Sequence, residues 1–170
     1  YHGAFAVRQG GLLAGSGLIE WGDAADAAEI AGTLSPGNSA GILEFEGELV
    51  LKDTATVLIE LGGTTAGTES DLVIADKITI QGGTLVFSLL DGHTLEESHT
   101  ITIFDSFLGI DGAGFALIDD AAVKTASGDT LAVSTTNLMS NGTVTIIPEP
   151  SSVTLLLLAA AGWILRRRLR

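Results

Sequence analysis

Gly82-Gly83-Thr84-Leu85-Val86-Phe87-Ser88-Leu89 carries the pattern that decides the fold. Two glycines interrupt the chain, then Thr84, Val86 and Ser88 alternate with Leu85, Phe87 and Leu89. A period of two places alternate side chains on opposite faces of a pleated strand, so one face can be buried and the other wetted. The same alternation recurs on both sides. Val57, Ile59 and Leu61 alternate with Leu58 and Glu60, and Ile101 and Ile103 alternate with Thr100, Thr102 and Phe104. Further apolar runs lie at 42–45, 48–51, 72–74, 78–80, 115–118, 131–134 and 143–147. Between them stands turn chemistry: Pro36-Gly37-Asn38, Gly62-Gly63, Asp91-Gly92, Asp111-Gly112 and Asn141-Gly142. Several of these dipeptides are hairpin signals. Only 23–30 and 119–125 read as short helical turns, so the body is expected to be all-β.

A repeat is visible in this pattern. Glu60-Leu61-Gly62-Gly63-Thr64 returns as Ile80-Gln81-Gly82-Gly83-Thr84, and Gly32-Thr33-Leu34 is echoed by Gly83-Thr84-Leu85. A period near twenty residues suits one coil of a β-solenoid, in which each coil covers the apolar face of its neighbour. A β-sandwich is the alternative that the same strands allow.

Composition narrows the partners. All 21 acidic residues precede Ser151, against the cations Arg8, Lys52, Lys77 and Lys124, so residues 1–150 carry −17 and the last twenty residues +4. Such a body repels nucleic-acid phosphates, and no nucleic-acid partner is expected. There is no cysteine, which excludes disulfides and thiolate metal sites and leaves stability to packing and backbone pairing. Aliphatic and β-branched residues are abundant enough to bury a core, which argues against disorder.

Leu34-Ser35-Pro36-Gly37-Asn38-Ser39-Ala40-Gly41-Ile42-Leu43 resembles the strand repeat associated with autotransporter passengers, and 62–105 is similar to what trails that motif. The resemblance implies a right-handed parallel β-helix and an elongated surface protein. It does not imply a β-barrel translocator, because nothing C-terminal to the motif in this sequence resembles one. On this reading 131–147 forms a closing strand or pair that shields the edge of the last coil.

The end of the chain differs in kind. Pro148-Glu149-Pro150-Ser151 leads into an uncharged run, 153–165, which includes Val153, Leu155, Leu156, Leu157, Leu158, Trp163, Ile164 and Leu165. Arg166, Arg167, Arg168 and Arg170 follow. The run has no polar face, as a core helix would need. Its thirteen residues are short against the ~20 that cross a bilayer, but arginine stems can extend the reach. Trp163 suits the interface, and the arginines are expected to stay cytoplasmic, with the acidic body across the membrane. One C-terminal transmembrane helix is therefore expected. The order of tripeptide, apolar run and arginine cluster over 147–170 resembles the PEP-CTERM sorting signal of Gram-negative bacteria. That resemblance implies recognition at Pro148, Glu149 and Pro150 by an exosortase, removal of the tail, and release or re-attachment of the body at the surface.

The expected organisation is an acidic ectodomain over 1–145 and a sorting signal over 146–170. Because the chain starts at Tyr1, an export signal and further repeats are expected upstream. Little else points to chemistry. His93 and His99 flank Glu96-Glu97, but their spacing is not that of a helical zinc motif, and a polar loop is expected. Asp105, Asp111, Asp119 and Asp120 lack the periodicity of a calcium loop. Asn141-Gly142-Thr143 reads as a turn. No metal and no cofactor is expected. The expected function is a non-enzymatic structural or adhesive protein of the cell surface or extracellular matrix. Its partners would be the lipid bilayer, an exosortase-type enzyme and exopolysaccharide. Two alternatives stay open. In one, the four aspartates converge as in a polysaccharide-active β-helix enzyme. In the other, the chain is a truncated autotransporter passenger with a permanent anchor.

Overall fold

The computed structural model describes residues 5–21, 26–124 and 130–148. Strands alternate between two parallel sheets as the chain winds. The first coil holds β1 (Ala6–Val7), β2 (Leu12–Gly15) and β3 (Gly17–Ile19). β4 (Ala28–Ile30) and β5 (Thr33–Pro36) follow, then β6 (Ile42–Leu51) with β7 (Thr56–Leu61), and β8 (Leu72–Ile80) with β9 (Thr84–Leu89). After β10 (Thr100–Thr102), the last coil holds β11 (Phe104–Ser106), β12 (Ile110–Gly112) and β13 (Leu117–Asp119). One sheet runs β1-β4-β6-β8-β11, with β3 on β6 and β12 on β8; the other runs β13-β9-β7-β5-β2. Every pairing in these two sheets is parallel.

The alternation explains the packing. In register, Leu13, Leu34, Val57, Leu85 and Ile118 stack from coil to coil, as do Leu49 and Ile78 on the facing sheet. Leu34, Val57, Leu85, Leu49 and Ile78 are wholly buried in one core between the sheets. Each such side chain contributes roughly 1.5–3 kcal/mol on burial.

The first coils are close to the expected period, with Leu12 beside Thr33 (21 residues apart) and Thr33 beside Thr56 (23 residues apart), and the coils lengthen further along the chain. Thr56 lies beside Thr84 and Ile42 beside Leu72, giving coils of 28 and 30 residues. Gly62-Gly63 follows β7 whereas Gly82-Gly83 precedes β9, so the two motifs are not equivalent. The stacked pair is Thr33 and Thr84, each in line with Thr56. At this corner Gly83 has φ +83°, and a Cβ there would strike the Ala55 carbonyl of the adjacent coil, so only glycine fits.

Several expectations need correction. The architecture of a β-helix-like body with one C-terminal transmembrane helix is not supported. The described chain is mostly β in parallel sheets, and no helix among the described residues is long and apolar enough to cross a membrane. The segment assigned to that helix, 153–165, lies outside the described residues. Runs 42–45 and 48–51 form one strand, β6, whose register shifts between Phe45 and Glu48. Ala28–Ile30 is strand rather than helical turn, because Ala28 and Ile30 point into the core beside Leu49 and Leu51. The expected hairpin dipeptides Gly62-Gly63, Gly82-Gly83 and Asp111-Gly112 lie at ends of parallel strands, since the next strand belongs to the other sheet.

The chain then changes mode. β14 (Leu131–Ser134), α1 (Leu138–Asn141) and β15 (Thr143–Pro148) follow the last coil, and β15 pairs antiparallel with both β10 and β14. Gly142 ends α1 at φ +72°, and its carbonyl accepts from the N–H groups of Ile103 (3.0 Å) and Phe104 (3.1 Å). Leu138, Val144 and Ile146 are buried with Ile101, Ile103 and Phe104. The segment 131–148 thus closes the core at one end of the coil stack.

Candidate functional site

The outer face of the first sheet carries the richest surface chemistry. Leu18, Glu44, Ile74 and Asp105 are neighbours in register from β3 across β6 and β8 to β11, all on the face turned from the core. Two of the coils are irregular midway along this sheet. β6 kinks after Phe45, and the last coil breaks between β11 and β12 at Phe107–Gly109. A groove of about 260 Å³ opens at the kinks, lined by Glu44, Ile74, Asp76, Asp105, Ser106 and Phe107. A second, of about 450 Å³, shares Glu44 and continues past Leu18, Ile42 and Gly67. Together they form an acidic strip with apolar flanks that crosses the coils.

The rim at Phe107 is held in place. Ser106 Oγ lies 3.0 Å from the Asp76 carbonyl and 2.9 Å from that of Gly109, and Leu108 N–H donates to Asp76 O at 2.7 Å. The turn pins its own backbone while leaving Phe107 90% exposed. Among the described residues no ion pair involves Glu44, Asp76 or Asp105. The groove therefore offers carboxylate acceptors beside one aromatic plate. That combination accepts hydrogen bonds from hydroxyl or ammonium groups and covers an apolar C–H face.

Two lysines lie elsewhere, Lys77 within β8 and Lys52 just after β6. Lys77 Nζ bridges Glu48 (3.3 Å) and Asp111 (3.8 Å), and Lys52 meets Glu29 at 2.9 Å. Thr79 Oγ1 donates to Glu48 at 2.7 Å and, with Lys77, holds that carboxyl below its usual range. Lysines therefore tie carboxylates of adjacent coils.

The aspartates considered for catalysis do not converge. Asp105 and Asp111 sit opposite Ile74 and Thr79, five residues apart along β8, or roughly 16 Å at ~3.3 Å per residue. Asp119 is on the other sheet, where its Oδ1 accepts from Ala121 N–H, and Asp120 Oδ2 accepts from Val133 N–H at 2.7 Å. Among the described residues no three His, Asp or Glu side chains are placed to share a metal ion. His93 lies in the loop between β9 and β10 and is tied down there: its Nδ1 lies 3.1 Å from the Gly62 carbonyl, so the proton belongs on Nδ1. His99 Nε2 is 3.8 Å from Glu96. Asn141 Oδ1 accepts from Thr143 Oγ1 (2.7 Å) and N–H (3.2 Å) and so forms a turn.

A buried polar node was missed in the sequence. Ser70 and Asp71 are fully buried at a corner of the coil stack. Asp71 Oδ1 accepts from Gly41 N–H (2.9 Å) and Oδ2 from Glu60 N–H (2.8 Å), joining two coils. Ser70 Oγ donates to Gly63 O at 2.7 Å. Burial pushes the Asp71 carboxyl up to about 7, against the two N–H donors and with the help of the Glu60 charge. Only its place in a Ser-Asp pair before an apolar run could have drawn notice.

Of the sorting motif, Pro148 is the last residue of β15, exposed and opposite Leu131. Glu149, Pro150, the apolar residues Val153, Leu155, Leu156, Leu157, Leu158, Trp163, Ile164 and Leu165, and Arg166, Arg167, Arg168 and Arg170 lie outside the described residues. No protein-family model matches the chain, and no curated protein matches it as a relative.

Proposed function

We propose that this chain is an exported, non-enzymatic structural or adhesive protein of the bacterial surface or extracellular matrix, delivered through a C-terminal signal of the PEP-CTERM type. One observation carries the reading: Pro148 ends β15, and Glu149-Pro150, an uncharged apolar run and an arginine cluster follow it in sequence. The exposed, extended backbone at Pro148 favours it, because a processing enzyme needs an accessible, extended substrate. An exosortase-type enzyme cuts at the motif and removes the arginines.

The body supplies contact area rather than chemistry. What favours adhesion over hydrolysis is the dispersal of Asp105, Asp111, Asp119 and Asp120 over two sheets, beside an open acidic strip with Phe107 on its rim. The strip crosses several coils and suits an extended polysaccharide better than a compact ligand. Its charge favours neutral or amino sugars and disfavours acidic ones.

The test expresses the natural gene product with and without an exosortase and measures the mass of the mature protein. Loss of Arg166–Arg170 only when the enzyme is present is the expected result. A product that keeps those arginines in its presence overturns the sorting assignment.

A further inference from the structure

Asn141-Gly142 is a dipeptide with chemistry of its own. The chain has three asparagines; Asn38 precedes a serine and Asn137 a leucine, so only Asn141 precedes glycine. An unhindered glycine nitrogen attacks the side-chain amide of the asparagine before it. The Gly142 nitrogen, its proton taken by hydroxide, bonds to Cγ of Asn141, and ammonia leaves with a proton from water. The product is a five-membered cyclic imide. Water then opens it at one carbonyl to give aspartate, or at the other to give isoaspartate, whose backbone is one carbon longer. Chain and water are the only reactants.

The fold demands this dipeptide and also disarms it. Gly142 has a positive φ, and a Cβ there would run into the Phe104 carbonyl, so no other residue fits. Asn141 supplies the acceptor of the turn, since its Oδ1 takes both the hydroxyl and the N–H of Thr143. The nucleophile is withheld. Gly142 N–H caps α1 by donating to Leu138 O at 2.9 Å, and Asn141 itself is helical. Ring closure needs that bond broken, Oδ1 released and the backbone at Asn141 unwound. Two features oppose unwinding. Leu138 is buried in the core, and the Gly142 carbonyl accepts from the N–H groups of Ile103 and Phe104.

We infer that Asn141 is a self-modification site whose reaction is gated by the closing segment, 131–148. Each opening of α1 frees the Gly142 nitrogen, and conversion to isoaspartate is then irreversible. The added backbone carbon shifts Gly142 away from Leu138 on one side and from Ile103 and Phe104 on the other. A modified chain therefore no longer closes this end of the coil stack. The site keeps a chemical record of how often that end has opened, in a chain without cysteine to lock it shut. The assignment is independent of how the chain is sorted.

The test incubates the full chain in mildly alkaline buffer, native and in urea, and follows Asn141 by peptide mapping that separates aspartate from isoaspartate. Conversion should be slower in the native protein by about tenfold or more, since only the open fraction reacts. Leu138→Ala, with its coils verified by circular dichroism, should convert Asn141 at a rate approaching that in urea. Should that variant not fold, the aged parent decides. Its isoaspartate fraction is expected to exchange the amide protons of Ile103 and Phe104 faster than the unmodified fraction, while Val57 keeps its protection. Equal rates at Asn141 in native protein and in urea overturn the proposal. So does a folded Leu138→Ala that converts at the parent's rate. Unchanged protection of Ile103 and Phe104 in the isoaspartate fraction overturns it as well.

Discussion

Asp71 is the residue on which local structure depends most sharply. Its carboxyl is sealed from water yet holds Gly41 and Glu60 N–H groups from two coils, with Glu60 the charged side chain that acts on it. Its folded pKa of about 7 lies above the ordinary value of 3.8, so the folded state binds this proton more tightly than the unfolded state does. Stability from Asp71 is therefore fully present below about pH 4 and falls as pH rises towards 7, after which no further loss occurs. Asp71→Asn keeps the shape but turns an amide NH₂ towards one of the N–H donors, at a cost of about 1–3 kcal/mol. Urea midpoints measured between pH 4 and 8 should show a decline in the parent protein that is absent from Asp71→Asn. A mutant with the parent's full slope would mean that another group carries it.

Among the elements, the closing segment 131–148 shows what could and could not be read from the sequence. Leu131–Ser134 and Thr143–Pro148 were legible as strands because one face of each is buried: Leu131, Val133, Val144 and Ile146 point inward. A closing strand or pair was the expectation for this segment; the structure gives the pair, and it is α1 rather than a tight turn that joins the two strands. Local pattern made two unlike glycine pairs look equivalent, although a period near twenty does hold for the first coils. Gly62-Gly63 and Gly82-Gly83 have similar sequences because both flank strands, but coil length is set by register between distant strands, which no local motif encodes. The groove escaped notice for another reason. One exposed phenylalanine has no signature in a chain that is 46% hydrophobic, and Glu44, Asp76 and Asp105 meet only when three coils stack. The burial of Leu138 gives the closing segment its test. Leu138→Ala removes a side chain that is 3% exposed, and such truncations cost about 2–5 kcal/mol. If 131–148 closes the last coil, hydrogen exchange should accelerate at Ile103 and Phe104, whose N–H groups bond Gly142, before it accelerates at Val57 or Val73. Uniform acceleration would show that the segment and the coils open as one unit.

For the whole molecule, charge opposes the fold. Parallel coils place equivalent residues in register, so outward carboxylates from successive turns lie within a strand spacing of ~4.8 Å or two. Lys52 and Lys77 relieve this at Glu29, Glu48 and Asp111, while Glu44, Asp76 and Asp105 repel one another without a counter-ion from the described residues. Two opposite salt effects follow. Screening weakens the lysine bridges, each worth at most about 1 kcal/mol because both partners are partly exposed. Screening also weakens repulsion summed over a body with 21 acidic groups against 4 cations. The repulsive pairs far outnumber the bridges, so the second effect wins. The melting temperature should rise as sodium chloride goes from ~10 mM to ~0.15 M, where the Debye length shortens from ~30 Å to ~8 Å. Lys77→Ala should melt lower than the parent at low salt, and the gap should narrow as salt increases. A melting temperature that falls with salt would mean that the inter-coil bridges outweigh the repulsion, and the acidic face would then be a stabilising network in its own right.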